Sequence, residues 1–240
     1  MTVLITGGEN SLSLELSKIY KDVLVPNSNK LNLTNKKSIE NFFEKNDFDI
    51  IIHNESLLNV RLCEEQKDLA IKVNVTSVKN LIDVIKEKNL DIQFIHISTP
   101  CIFEGTNEMY VESSIPKPVN FYGQTRLDGE KQVQKLNQYT IVRTNYVSKQ
   151  KWKYPKAFTD RFGTYLFPKQ VAQGIYDIQT EKITGIIHIV GDKKISMFEL
   201  AKITTPEIES MTIDDYSGPP VTMDMSLDTK RWKKYQISLD

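Results

Sequence analysis

Apolar residues fall along this chain in short continuous runs, separated by stretches with helical spacing. Val3-Leu4-Ile5-Thr6, residues 22–25, Phe48-Asp49-Ile50-Ile51-Ile52-His53, residues 93–97 and Thr140-Ile141-Val142-Arg143-Thr144 read as strands, several of the kind buried on both faces of a parallel sheet. Between them, Leu12, Leu14, Leu16 and Ile19 fit a helix, as do Ile39, Phe42 and Phe43. Leu69, Val73, Val75, Val78, Leu81, Ile82 and Ile85 fit a long amphipathic one. Thr34 is the predicted N-cap of the second helix, and Asn74 is a polar residue inside the third. Another helix is expected over residues 123–136. Val171, Ile175 and Ile178 form a helix face, residues 185–191 a strand, and Ser196 with Glu199 a capping box for a helix over 197–203.

Composition narrows the class. At 240 residues and 40% hydrophobic, the chain supports one substantial core, or one core with a small appendage. A formal net charge of zero suggests no nucleic-acid surface. The tail Arg231, Trp232, Lys233, Lys234, Tyr235 is read as packed aromatics with solvated charges, so no nucleic-acid partner is expected. Cys63 and Cys101 have no metal or Cys-x-x-Cys spacing, which points to a reducing, cytoplasmic compartment. His53, His96 and His188 sit inside strands and read as structural; no metal is expected. No run reaches the ~20 apolar residues of a membrane helix, so no membrane partner is expected. Met1 leads straight into a strand, leaving no room for a signal peptide. No internal repeat is visible.

Two stretches carry candidate chemistry. Strand, glycine turn and helix open the chain at Thr6-Gly7-Gly8-Glu9-Asn10-Ser11-Leu12-Ser13. Backbone N–H groups at such a helix start can receive a pyrophosphate. Asn10 would tolerate a left-handed turn there, and Glu9 would bring negative charge beside the phosphate. The second stretch, residues 97–130, begins at a strand ending in Ser98 and Thr99 and continues into a helix with Tyr122 and Arg126 one turn apart. A cation beside a phenol favours phenolate and lowers its pKa from ~10. Such a group can protonate an alkoxide while a hydride reaches a carbonyl carbon.

The motifs "ISTPCIFEG", "PVNFYGQTRLDGE" and "LNLTNKKSIENFFEKNDFDIIIHN" resemble extended short-chain dehydrogenase/reductases of the dTDP-4-dehydrorhamnose reductase type, and the resemblance runs from Met1 to about Lys230. It implies an α/β fold: a doubly wound parallel sheet, Rossmann-like, with a small C-terminal substrate lobe. The division would be 1–148 for the dinucleotide-binding domain and 149–240 mostly for the lobe, with segments around 163–190 returning to the core sheet. The implied activity is NAD(P)H-dependent reduction of the 4-keto group of a dTDP- or UDP-linked 6-deoxyhexulose, for rhamnose-type deoxysugars of surface glycans. The catalytic residues would be Tyr122 as proton donor, Thr99 polarising the carbonyl, Arg126, and Asn74. Cofactor (NADP or NAD) contacts would come from Gly7, Asn10, Ser11, Leu12, Asn32, Leu33, Asn54, Ser56 and Arg126. Ser98, Phe103, Glu104, Tyr122, Asn145, Ser226 and Asp228 would meet the nucleotide-sugar substrate. A homodimer or a heteromeric partner is also possible within the family.

The chain departs from the family's pattern at definite places. Asn10 and Ser13 stand for the second and third glycines, Asn54-Glu55-Ser56 for three alanines, and Arg126 for lysine. Pro219 replaces an arginine, and the segment over 149–160 is shortened. These departures carry an alternative: a catalytically weakened or inactive relative acting as a nucleotide-sugar- or protein-binding, regulatory subunit.

Overall fold

The computed structural model describes residues 1–8 and 10–238; Glu9, and with it the expected charge at the first turn, lies outside them. The apolar runs become parallel strands: β1 (Val3–Thr6), β2 (Val23–Leu24), β3 (Ile50–His53), β4 (Gln93–Ser98) and β5 (Thr140–Arg143). The helices between them are α1 (Ser11–Ile19), α2 (Lys36–Phe43), α3 (Val60–Glu65), α4 (Lys67–Ile71), α5 (Ser77–Glu87) and α6 (Phe121–Val133). Beyond β5 the chain forms β6 (Lys156–Phe158), β7 (Phe162–Gly163), α7 (Pro168–Thr180), β8 (Gly185–His188), β9 (Val190–Gly191), β10 (Ile195–Ser196) and α8 (Met197–Thr204). Three further short strands end it: β11 (Glu209–Met211), β12 (Asp224–Met225) and β13 (Lys234–Tyr235).

The main sheet runs β2-β1-β3-β4-β5-β8, parallel throughout. Both faces are covered, which is why its strands read as unbroken apolar runs. Val3, Ile5, Ile50, Ile52, Ile95, Ile97, Val142 and Ile187 meet Leu12 and Leu16 of α1 and Val171 and Ile175 of α7 on one face. Leu4, Ile51, Phe94 and Ile141 meet Ile39 of α2, Val78 and Leu81 of α5 and Val133 of α6 on the other. From β1 the chain passes to β2 on one side and to β3 on the other, so the strand order reverses at the C-terminal ends of β1 and β3. Ligands of open α/β sheets bind at such a crevice.

Several boundaries differ from the pattern-based expectation: the helix expected over 123–136 runs Phe121–Val133, and the strand expected over 185–191 is split into β8 and β9, which join different sheets. Asn35, not Thr34, caps α2 through Lys37 and Ser38, because Thr34 is itself held by the Asn32 side chain. The long amphipathic helix is α4, a π turn over Lys72–Thr76 and α5 in succession, with Asn74 buried in the π turn. Ser196 and Glu199 form the expected capping box of α8.

The tail folds back over the molecule. β12 pairs with β7, β13 with β9, and the 110 and 226–228 segments exchange backbone hydrogen bonds. Asn120, the N-cap of α6, also donates to the Pro220 carbonyl at 2.8 Å.

Candidate functional site

The first turn is built on glycine. Gly7 (φ +95°) and Gly8 (φ +66°) are left-handed, and a Cβ on Gly7 would sit 2.9 Å from the Asn54 carbonyl oxygen. Only glycine lets the turns after β1 and β3 lie this close. Asn10, expected to supply left-handed backbone, is extended instead and acts as the N-cap of α1. Its Oδ1 accepts from Leu12 N (3.1 Å) and Ser13 N (3.0 Å), and also from Asn54 Nδ2 (3.0 Å). Asn54 Oδ1 in turn accepts from the Tyr146 hydroxyl at 3.4 Å. Two of the amide groups at this helix start, those of Leu12 and Ser13, are therefore taken by a side chain of the protein.

Beside this turn is a hollow of about 270 Å³ lined by Thr6, Gly7, Gly8, Pro26, Asn27, Ser28, Leu31 and Glu55. Of the expected cofactor residues, Gly7 lines it. Ser11 opens α1, Ser56 is half-buried in the loop after β3, and Leu12 is core. Asn32 folds onto Thr34, and Leu33 is buried with its carbonyl accepting from Asn80. The hollow's floor comes from the turn after β2, Pro26-Asn27-Ser28, one step earlier than expected.

The second cluster is carried by α6. Asn120 Oδ1 accepts from Gly123 N, and Glu64 Oε1 of α3 accepts from Phe121 N at 2.6 Å, so both ends of the "NFYG" start are fixed. A Cβ on Gly123 would lie 2.2 Å from the Cys101 carbonyl oxygen, and one on Gly129 would lie 2.7 Å from that of Asn74. The two glycines thus let α6 seat against the Thr99 loop and the π turn. The seating places the Tyr122 phenol where both Arg126 and Thr99 act on its proton affinity.

Tyr122 is 5% exposed and Arg126 4%. Tyr122 packs with Cys63 and Ala70, and Leu57, Val60 and Cys101 lie against that group. Burial pushes its phenol up to about 12, although Arg126 and the Thr99 hydrogen bond pull the other way. This corrects the expectation of a lowered pKa: desolvation outweighs the cation. Arg126 donates to the Ile97 carbonyl of β4, and its Nε has no partner among the described residues. Asn74 holds the loop after β3: its Oδ1 accepts from Leu57 N (2.8 Å) and its Nδ2 donates to Leu57 O (3.2 Å) and Thr125 Oγ1 (3.0 Å).

Several of the expected substrate residues have partners within the protein. Ser98 donates to Glu130 at 2.5 Å, inside a buried network in which Arg143 grips the same carboxylate at 3.0 and 2.7 Å. Phe103 is fully buried and stacked on Tyr110 at 4.3 Å. Ser226 is buried between Asp224 and Met109 N. Glu104 pairs with Lys117, and Asp228 pairs with Lys234 at 2.9 Å, which holds its carboxyl below the usual range. Asn145 is half-buried, its Nδ2 3.8 Å from the Met225 sulfur. Among the described residues no group of His, Cys, Asp and Glu is arranged to hold a metal, and no helix is long and apolar enough to cross a membrane.

Residues 1–226 match the protein family described as the RmlD substrate binding domain. The fold is similar to the crystal structure of a hypothetical dTDP-4-dehydrorhamnose reductase from Sulfolobus tokodaii, with a TM-score of 0.85, 29% identity, and coverage of 100% of this chain and 98% of that one. It is similar in fold to the dTDP-4-dehydrorhamnose reductase of Bacillus anthracis in complex with NADP, with a TM-score of 0.86, 22% identity, and coverage of 95% and 90%. In sequence it is 26% identical to the methionine adenosyltransferase 2 subunit beta of Xenopus laevis, over 86% of this chain and 71% of that protein.

Proposed function

Because the chain belongs to the RmlD substrate binding domain family, we propose that it is a reductase of a nucleotide-linked 4-keto-6-deoxy sugar, dTDP- or UDP-linked. NADPH or NADH would be its hydride source and deoxysugar assembly in the cytoplasm its setting. One observation carries this reading. Tyr122 and Arg126, one turn apart on α6, lie beside Thr99 at the C-terminal end of β4, on the sheet whose switch point opens beside the hollow.

The residues present fit a nicotinamide dinucleotide, with one obstacle. The hollow suits an adenosine end, and a Cβ on Gly8 would meet nothing within 4 Å, so its backbone faces open space. At the pyrophosphate position, the Asn10 side chain has to turn away before the amides of α1 can accept a phosphate oxygen. Gly7, Gly8 and the start of α1 would hold such a cofactor, whose chemistry would be hydride supply to the keto carbon. Tyr122 gives its proton to the developing alkoxide, Thr99 orients the phenol and polarises the carbonyl, and Arg126 supplies positive charge beneath. Asn74 is a positioning residue: by clamping both backbone groups of Leu57 it fixes the wall over Tyr122.

Titration with NADPH and NADH by fluorescence or calorimetry, followed by turnover of a dTDP-4-keto-6-deoxy sugar, tests the reading. Tyr122→Phe is expected to lower kcat by about 10²–10⁴-fold, the usual contribution of a positioned acid. Absence of cofactor binding at millimolar concentration, or turnover insensitive to this substitution, ends it.

A second reading, a binding or regulatory subunit, is favoured by the enclosure of Tyr122 behind Leu57, Val60 and Cys63. A relative named as a subunit of another enzyme supports it. Nucleotide-sugar binding without turnover is its signature.

A further inference from the structure

A second group of donors lies against the Tyr122 cluster, and it faces sulfur where oxygen is the normal partner. Arg161, half-buried in the link from β6 to β7, gives its Nε to the Thr222 carbonyl at 2.9 Å. Its terminal nitrogens meet thioethers instead, Nη1 at 3.5 Å from Met197 Sδ and Nη2 at 3.3 Å from Met225 Sδ. The Met225 sulfur has two further donors around it, Cys101 Sγ at 3.6 Å and Asn145 Nδ2 at 3.8 Å. Beside them the hydroxyl of Tyr165, a residue 2% exposed, has no partner among the described residues. The Tyr165 ring and the Asn145 amide come together over Gly163: a Cβ there would lie 2.7 Å from Tyr165 Cζ and 3.1 Å from Asn145 Nδ2.

A thioether is a weak acceptor, so a guanidinium fork and an amide converge on a sulfur that satisfies them poorly. A carboxylate or phosphate would satisfy them well, because the planar fork matches two oxygens of either group. Among the described residues no carboxylate pairs with Arg161. Asp160 turns to Ile213 N, and Asp224 is held by Lys194 at 2.6 Å and by Ser226 N at 2.8 Å. The position adjoins the candidate site: Cys101 packs with Tyr122 on one side and with Tyr165 and Met225 on the other, a wall common to both groups. Met225 belongs to the tail strand β12, and an unbranched methionine changes rotamer readily.

We propose that Arg161, Asn145 and Tyr165 form a seat for an oxyanion of the ligand held at Tyr122, and that Met225 is its plug. The thioether stands where the anion's oxygens go, and it is expelled when they arrive. The inference rests on the reductase reading only for what lies at Tyr122, a sugar ring. Two groups on a nucleotide sugar have this chemistry, the phosphate on the anomeric carbon and a carboxylate on the ring.

The whole chain, isotope-labelled at its methionine methyl groups, tests both halves by NMR with calorimetry alongside. The probes are glucose 1-phosphate, glucuronate and methyl glucoside. At least one of the two anions is expected to bind about tenfold or more tightly than the uncharged methyl glucoside, the strength of one charge-assisted pair. Which anion does so identifies the source. Its binding should shift the Met225 methyl resonance, assigned by its loss in Met225→Leu. Arg161→Gln should abolish the preference for the anion, and Arg161→Lys should restore only part of it, since an ammonium lacks the fork. Met225→Ala should tighten the anion several-fold and leave methyl glucoside unchanged; if that variant fails to fold, the resonance shift and the Arg161 pair still decide. Equal binding of the three probes overturns the proposal, as does no binding of either anion at tens of millimolar. A Met225 resonance that stays still while the anion binds overturns it too. Failure of the reductase reading shows separately, as absent cofactor binding and turnover with the anion preference and the Met225 shift intact.

Discussion

A histidine without hydrogen-bond partners is costly to protonate inside a protein. His53 and His96 stack at 5.2 Å between ring centroids, both buried, on neighbouring strands. His53 Nδ1 meets the Thr6 hydroxyl at 2.7 Å, while both ring nitrogens of His96 have no partner among the described residues. Burial, with Arg126 nearby, lowers His53 to about 3 and His96 well below its ordinary value. In the unfolded chain both rings gain protons near pH ~6.5, so below that pH the unfolded state binds more protons than the folded one. Stability therefore falls as pH falls from ~6.5 toward 3, by about 1.4 kcal/mol per pH unit for each ring. His96→Leu removes one of these rings without removing a hydrogen bond. It is expected to hold wild-type stability at pH 8 within about 1.5 kcal/mol and to flatten the acid limb in urea melts between pH 6 and 4. An acid limb as steep as wild type would refute the assignment. Tyr122 answers at the other end of the scale. With its phenol at about 12 it stays protonated through pH 10, so kcat for reduction should show no alkaline loss below that pH. A limb near pH 8 would identify another group as the acid.

At the scale of elements, the π turn shows what sequence periodicity can and cannot reveal. The apolar spacing over residues 69–85 announces a helix, and the helix is there; the extra residue per turn at Lys72–Thr76 leaves no mark on that spacing. Its purpose is visible only in space, where Asn74 reaches across to both backbone groups of Leu57 and to Thr125. Asn74→Ala should cost about 2–3 kcal/mol, since it leaves a buried N–H and C=O unpaired. Hydrogen exchange at Leu57 should accelerate ahead of the amides of β3; exchange locked to the global rate would deny Asn74 its clamping role. The strands were legible for the opposite reason: burial on both faces writes itself as uninterrupted Val, Ile and Leu. The first turn was half legible. Gly7 stands where the close approach of two loops demands glycine, but Asn10 looked like a tolerable substitute for a glycine and proved to be a cap. Ser13, where the family has glycine, also packs in the core, its hydroxyl without a partner among the described residues, a detail only packing discloses.

For the whole molecule, the question is what ties the site-bearing helix to the sheet. The tie is ionic and buried. Glu130 of α6 and Arg143 of β5 are 1% and 2% exposed in their side chains, 2.7 Å apart, with Ser98 of β4 completing the carboxylate's shell. The pair spans α6, β4 and β5, the three elements that place Tyr122, Thr99 and Arg126. The "GE" of the sequence motif, which carries no chemistry on its face, is thus the anchor of the site, and Ser98, expected at the substrate, belongs to that anchor. Breaking such a pair on one side strands the other charge in the interior and typically costs about 3–5 kcal/mol, whereas replacing both partners by apolar groups of similar volume is often near neutral. Glu130→Leu alone should therefore lower the urea midpoint sharply, and adding Arg143→Met should recover most of the loss. If the double variant is as unstable as the single one, the network's value lies in its shape and not in its charge compensation. If Glu130→Leu is nearly silent, the ion pair does not hold α6 on the sheet, and the geometry of Tyr122 must be fixed by Gly123, Gly129 and the Asn120 cap instead.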